Sequence, residues 1–214
     1  MKLRYENGLH KLFNSMPRFK WDMIGRISFD NGIYVVFENG ETYLGIDRIV
    51  RVGTHNKDGR LRKRLKEHFS YERKDGSVFR KNIGKAILNR NHDPYLEIWS
   101  MNSSKKSTMI GVEGYDPTYQ KTIEKIVSQY MREHFSFTCF PVSTEVERLR
   151  LEEGIIATLN GANDFNASSD WLGKYSPKPE IVQSGMWLKE GLDGVPLSET
   201  EYANVEEYCS TALS

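Results

Sequence analysis

A chain of 214 residues with 30 Lys/Arg against 29 Asp/Glu and 38% hydrophobic residues suits one large domain and excludes a disordered or low-complexity polypeptide. No apolar run reaches the roughly 18–20 residues of a membrane span, and "MKLRYENGLHKLFNSMP" lacks the apolar core of a signal peptide, so a cytoplasmic protein with no membrane contact is expected. Cys139 and Cys209 read as unpaired thiols of a reducing compartment, because no CxxC or Cys/His metal spacing is present.

In chain order, residues 8–16 read as a short helix ended by Pro17. "GIYVVFENGETYLG" reads as a hairpin: Gly32 to Phe37 is β-rich, Asn39-Gly40 is a two-residue turn signal, and Glu41 to Leu44 starts the return strand. "RIVRVG" (48–53) is a further strand, followed by a polar loop to Gly59. Leu61, Leu65 and Phe69 recur every four residues and predict a helix over 60–69. Phe79, Ile83 and Ala86/Ile87 predict another over 77–90. "PYLEIWSM" (94–101) reads as strand, though a helix also satisfies its pattern, and 102–108 reads as loop.

Asp116-Pro117-Thr118 marks a helix start, and the pattern from Tyr119 to Tyr130 carries that helix to about His134. "SFTCFPV" is the next strand. Thr144 with Glu147 predicts a capping box opening a helix to about Asn160. The last fifty residues are poorer in pattern, with loop chemistry in "GANDFNASSDWLGKYSPKPE" (161–180), and Trp171 and Trp187 suit either the core or a substrate surface. The order predicts an α/β (α+β) domain with a small mixed, mainly antiparallel central sheet flanked by helices.

The charge is unevenly spread. Residues 46–90 hold 14 Lys/Arg against 5 Asp/Glu, whereas 144–214 hold 5 against 13. Such asymmetry fits a basic face for a polyanion, or solvated helices that differ in sign. Within the basic span Arg64 and His68 are four apart and share a helix face. A guanidinium fork beside an imidazole suits a phosphodiester, and a solvated basic helix is the alternative. On the 144–160 helix, Val146, Leu149, Ile155, Ile156 and Leu159 form the expected apolar stripe. Glu152 falls about 30° from its centre and Glu153 about 70°. An inward carboxylate needs a partner, either a bound Mg²⁺ or a core arginine. Tyr34, on a strand, suits the core. A free phenol titrates at about 10 and acts as a base only where cations lower that value.

The order of these residues resembles the GIY-YIG nuclease superfamily over roughly 30–166, leaving 1–29 and 167–214 as extensions of a single domain. "GIY" stands at Gly32, Ile33 and Tyr34, and "RVGTHNKDGRLRKRLKEHF" resembles the second motif and its following helix, with Arg64 and His68 matching the family's arginine and histidine. "RLEEGIIATL" resembles the metal-binding helix, with Glu152 three and four residues before Ile155 and Ile156. "YIG" stands here as "RVG", which puts Arg51 where the second tyrosine falls; Tyr43 in "YLG" competes for that role. The late asparagine matches Asn166 best, with Asn160 and Asn163 as alternatives.

The resemblance implies a DNA endonuclease using one Mg²⁺ or Mn²⁺ held by Glu152. Tyr34 would act on the attacking water, Arg64 on the phosphate, His68 would support Tyr34 or shuttle a proton, and Arg51 would be a second cation. His55 and Glu153 are secondary candidates. Lys57, Arg60, Lys63, Lys66, Arg80 and Lys81 would track the DNA backbone. A restriction or defence nuclease acting as a homodimer is the implied role. The alternatives are an inactive nucleic-acid-binding module of the same fold, favoured by Arg51, and a protein-interaction domain that docks through its acidic C-terminal region.

Overall fold

The computed structural model describes residues 5–103, 109, 111–162 and 164–212. Most of the loop expected over 102–108, and Asn163, lie outside them. The described chain is a mixed α/β fold around a three-stranded antiparallel sheet in the order β2-β1-β3, formed by β1 (Gly32–Tyr43), β2 (Ile46–Gly53) and β3 (Phe135–Pro141). The helices are α1 (Tyr5–Ser15), α2 (Leu61–Phe69), α3 (Val78–Arg90), α4 (Leu96–Ser100), α5 (Pro117–His134), α6 (Glu145–Asn160), α7 (Pro179–Ser184) and α8 (Glu199–Thr211).

The period-two alternation of β1 sorts the core into two halves. Tyr34 and Val36 face one cluster, with α2, α3, α4 and α5 supplying Leu65, Phe79, Trp99 and Val127. Ile33, Val35 and Phe37 face the other, built with Leu9 and Phe13 of α1, Leu151 and Ile155 of α6 and Val205 of α8. The buried thiols Cys139 and Cys209 fall in different clusters and are free.

Four expectations are corrected. The hairpin does not turn at Asn39-Gly40. β1 runs on to Tyr43, and the chain reverses at Leu44-Gly45 between the paired residues Tyr43 and Ile46. Leu44 and Gly45 both have positive φ (50° and 84°), as a tight I′-type turn demands, while the positive φ of Gly40 is spent on an irregularity inside the strand. "PYLEIWSM" yields the short helix α4, which buries Ile98 and Trp99 on one side; its aromatic and branched residues mimic a strand. On α6, Val146 and Leu149 lie outside the core at 81% and 42% exposure, and the buried face is Arg148, Leu151, Ile155, Ile156 and Leu159. The Thr144 capping box is half formed: its side chain accepts from the Glu147 N–H, but the Glu147 carboxylate accepts from Tyr208 Oη at 2.6 Å instead.

β2 carries a bulge that sets up the site. Val36 pairs with Arg51, yet Phe37 pairs with Ile49, so Val50 is the extra residue. Strict alternation would put Arg51 on the Ile49 side. The bulge turns it onto the face of Tyr34 and Val36. The Val50 carbonyl accepts the N–H of Trp187 at 2.7 Å, which brings the C-terminal segment against this edge.

Candidate active site

The site lies at the end of the sheet where β1 begins and β2 finishes. Here the loop after β2 is stitched to the start of β1. Thr54 Oγ1 donates to the Gly32 carbonyl at 2.8 Å, and the Gly32 N–H donates to His55 Nε2 at 3.3 Å. His55 Nδ1 therefore carries the hydrogen, donated to the Lys57 carbonyl at 2.8 Å. His55 is a buried clamp of this loop, and burial lowers its pKa.

Both glycines of the matched motifs are required by close approach. A Cβ on Gly32 would sit 3.1 Å from the Phe140 carbonyl carbon and closer to its oxygen. A Cβ on Gly53 would sit 2.7 Å from Tyr34 Cε2 and closer still to Oη and Cζ. Tyr34 and Gly53 are register partners, so the phenol crosses the strand where its neighbour has no side chain.

A cleft of about 360 Å³ opens beside this crossing. Tyr34 of β1, Arg51 of β2, Arg64 of α2 and Glu152 of α6 all line it. His68 stands behind Tyr34, with Nε2 2.7 Å from Tyr34 Oη and Nδ1 2.6 Å from Ser77 Oγ. Ser77 is also the N-cap of α3, accepting the Arg80 N–H at 3.1 Å, so one hydroxyl anchors both a helix and the imidazole. His68 is fully buried. That burial, with Arg64, Arg51 and Arg80 nearby, holds its pKa well below the ordinary histidine value, so the ring is neutral.

Glu152 Oε1 accepts the Thr54 N–H at 3.1 Å. Burial raises its pKa, outweighing the opposing pull of Arg51, the Thr54 N–H and Arg64. Its position is set one turn earlier by Arg148, which donates to the Val142 and Ser143 carbonyls at 3.2 and 2.6 Å and to Asp58 at 2.8 Å. Arg148 thereby ties α6 to the loop that also supplies Thr54. Arg51 donates through Nη1 to the Trp187 carbonyl and lies 5.0 Å from the centroid of Phe79. Arg64 donates to Glu67 and to the Gly76 carbonyl, each at 3.2 Å.

The donor set fits a divalent cation bound through one carboxylate. Glu152 forms no ion pair among the described residues, and a half-buried carboxylate in that state gains most from a cation. No three His, Cys, Asp or Glu side chains stand together among the described residues, so water and phosphate would complete the coordination, as Mg²⁺ accepts.

The other candidates are distributed as follows. Glu153 lines the outer cleft, is exposed and pairs with Arg150 at 3.5 Å. Tyr43 is buried outside the cleft, its hydroxyl donating to Asp164 at 3.0 Å. Asn166 is exposed and outside the lining; Asn160, half-buried and also outside it, donates to the Leu192 carbonyl at 3.0 Å. Lys57, Lys63 and Lys66 are exposed, and Arg60 pairs with Glu67 at 3.1 Å. Arg80 is not available to a backbone: it is fully buried, held by Glu124, Ser128 Oγ and the His68 carbonyl. Lys81 is half-buried and donates to the Met101 carbonyl at 3.2 Å.

Two contributors escaped the sequence reading. Asn82 of α3 lines the cleft, is buried, and leaves Nδ2 without a hydrogen-bond partner. The segment from Trp187 to Gly191 forms a cleft wall, fixed by Glu38, which accepts from Tyr130 Oη at 2.5 Å, Trp171 Nε1 at 2.7 Å and Trp187 Nε1 at 2.9 Å. The only sign of that arrangement in the sequence is a glutamate in the inward register of β1, two and four residues beyond Val36 and Tyr34.

Comparison with curated proteins and with solved structures yields no match. Among the described residues no helix is long and apolar enough to cross a membrane. A model of the GIY-YIG domain matches residues 13–197, most of the chain and more than the span from Gly32 to Asn166 that holds the motifs. The protein therefore belongs to the GIY-YIG family, whose nuclease-type fold is built here around the Tyr34, Arg51, Arg64 and Glu152 cleft.

Proposed function

We propose that the protein is a metal-dependent DNA endonuclease that hydrolyses a phosphodiester in this cleft. The observation that carries the reading is the convergence of a phenol, two guanidinium groups and an unpaired carboxylate, drawn from four separate elements, on one cleft. A binding surface for the DNA backbone needs the cations but has no use for Glu152, whose raised pKa marks a cost to the fold.

The roles follow from the contacts. Glu152 would hold Mg²⁺ or Mn²⁺. When bound, the cation would supply positive charge against the negative charge that develops during hydrolysis. Arg64, anchored on Glu67, presents the remainder of its fork to the phosphate and to the charge that develops on it in the transition state. Arg51 adds a second fixed positive charge, immobilised by Trp187 before substrate arrives. Tyr34 directs its oxygen at the attacking water and orients it or takes its proton. His68 is a positioning residue. An imidazole in such a cationic, dry setting is a poor proton sink, and its contact with Tyr34 fixes the direction of the phenol's lone pairs.

The test is incubation of supercoiled and linear DNA with the protein in Mg²⁺, in Mn²⁺ and in EDTA. Cutting that requires a metal is expected. Discrete fragments would assign a sequence-specific, restriction-type enzyme, and a smear a non-specific one. Equal cutting in EDTA would contradict the reading. Tight binding of DNA without any cutting would favour the inactive binding module, for which Arg51 in place of a tyrosine is the supporting feature.

A further inference from the structure

The C-terminal third is acidic by count, yet it brings lysines toward α3. Lys189 lines the cleft together with Val78 and Asn82 of α3. Lys81 and Lys85 lie four apart on α3 and so share a face. The chain around 172–178 packs along the same helix: Leu172 joins Ile83 and Ala86 in one core cluster, and Asn89 Nδ2 donates to the Tyr175 carbonyl at 2.9 Å. Lys178 follows three residues later, half-buried, as does Lys85 on the helix.

Among the described residues Lys85, Lys178 and Lys189 form no ion pair. Asp75 is engaged with Lys74 and Lys81, and Glu190, next to Lys189, raises the pKa of Glu152 across the cleft. Burial and then the charges of Lys178, Lys81, Lys189 and Lys74 lower the pKa of Lys85, which is consistent with one crowded group. Among the described residues no carboxylate is paired with Lys85, Lys178 or Lys189, and a polyanion would supply the missing counter-charge. Lys85 is seven residues beyond Val78, about 10 Å along the helix. That is about three nucleotide steps at 3.4 Å each.

We propose that Lys85, Lys178 and Lys189, with Lys81, form a phosphate-binding track along the seam between α3 and the C-terminal segment, which carries one nucleic-acid strand away from the cleft. The track rests on the nuclease reading above and adds to it that the C-terminal segment is part of the substrate surface.

The experiment is binding of a fluorescein-labelled DNA duplex of about 30 bp, followed by anisotropy in EDTA from about 50 to 300 mM salt. Wild type is compared with K85Q/K178Q/K189Q and with a control, K11Q/K121Q/K125Q, that removes three exposed lysines from α1 and α5. The first triple variant should bind at least about tenfold more weakly, with a salt slope shallower by about 2–3, at about 0.9 per lost phosphate contact. The control should lose much less. K178Q/K189Q leaves α3 untouched and should show an intermediate loss with an unchanged melting temperature. Equal losses in the two triple variants, or none in K178Q/K189Q, would overturn the track while leaving the nuclease reading intact. Failure of the wild type itself to bind DNA would instead overturn the reading beneath it, and the track with it.

Discussion

Tyr34 and Gly53 are cross-strand partners, and the phenol of the first occupies the space a side chain on the second would need. This crossing turns Tyr34 toward both His68 and the cleft. Gly53→Ala should therefore displace the ring rather than merely stiffen the strand. The expected cost is about 1–3 kcal/mol of stability from overpacking, and about 10²-fold in cleavage from misplacing the phenol. Urea denaturation and a cleavage time course check the two parts. Retention of full activity would show that the phenol's position is not critical.

Removing only the Tyr34 hydroxyl separates chemistry from packing. Tyr34→Phe keeps the ring over Gly53 but leaves His68 Nε2 without its 2.7 Å partner. A loss of about 1–3 kcal/mol is expected for the orphaned buried nitrogen, with cleavage reduced by about 10²–10⁴. His68→Asn, acting through Tyr34, should lower kcat with KM nearly unchanged. A variant that raised KM alone would place His68 in substrate binding instead.

Glu152 gives a pH-dependent test with a definite sign. Its folded pKa is raised, so the ionised form costs stability at pH values above that pKa, and the cost disappears as pH falls through it. In EDTA at pH 8, Glu152→Gln should raise the melting temperature by about 2–4 °C, roughly what 1 kcal/mol gives a chain of this size. The gain should shrink on acidification. Affinity of the wild type for Mn²⁺ should fall over the same range, because proton and metal compete for the carboxylate. Melting curves and a metal titration at several pH values check both.

The Glu38 anchor predicts that the C-terminal segment is structural as well as functional. Trp187 is fully buried, donates its indole N–H to Glu38 and holds Arg51 through its carbonyl. Trp187→Ala should cost about 3–5 kcal/mol. Trp187→Phe keeps most of the packing and should cost about 1–3 kcal/mol through the lost donor to a buried carboxylate. Chemical denaturation of both variants measures the difference.

Much of the candidate site was legible because the information is local. Spacing alone puts Leu61, Leu65 and Phe69 on the core face of α2, and the match to the motifs then points to Arg64 and His68 on the same helix. A helical wheel picks out Glu152 even though Val146 and Leu149 lie outside the buried face, since Ile155, Ile156 and Leu159 dominate that face. What could not be read depends on partners distant in sequence. Arg80 looks like a solvated base until Glu124 and Ser128 of α5 surround it. Arg51 reaches Tyr34's face only through a bulge that no residue of "RIVRVG" announces. Asn39-Gly40 carries a genuine turn signal, but the positive φ it supplies is used within β1, and the reversal falls on Leu44-Gly45. The wall from Trp187 to Gly191 meets the sheet through contacts some 140 residues apart in sequence, beyond any periodicity.

The most direct test of the account compares wild type with Glu152→Ala on supercoiled DNA in Mg²⁺ and Mn²⁺, with folding and DNA affinity of both proteins measured alongside. The account predicts metal-dependent cutting by the wild type and at least about a 10³-fold loss in the variant, which still folds and binds DNA. Equal cutting by the two proteins would contradict it, because the carboxylate that the fold keeps unpaired at the cleft would then have no part in the chemistry.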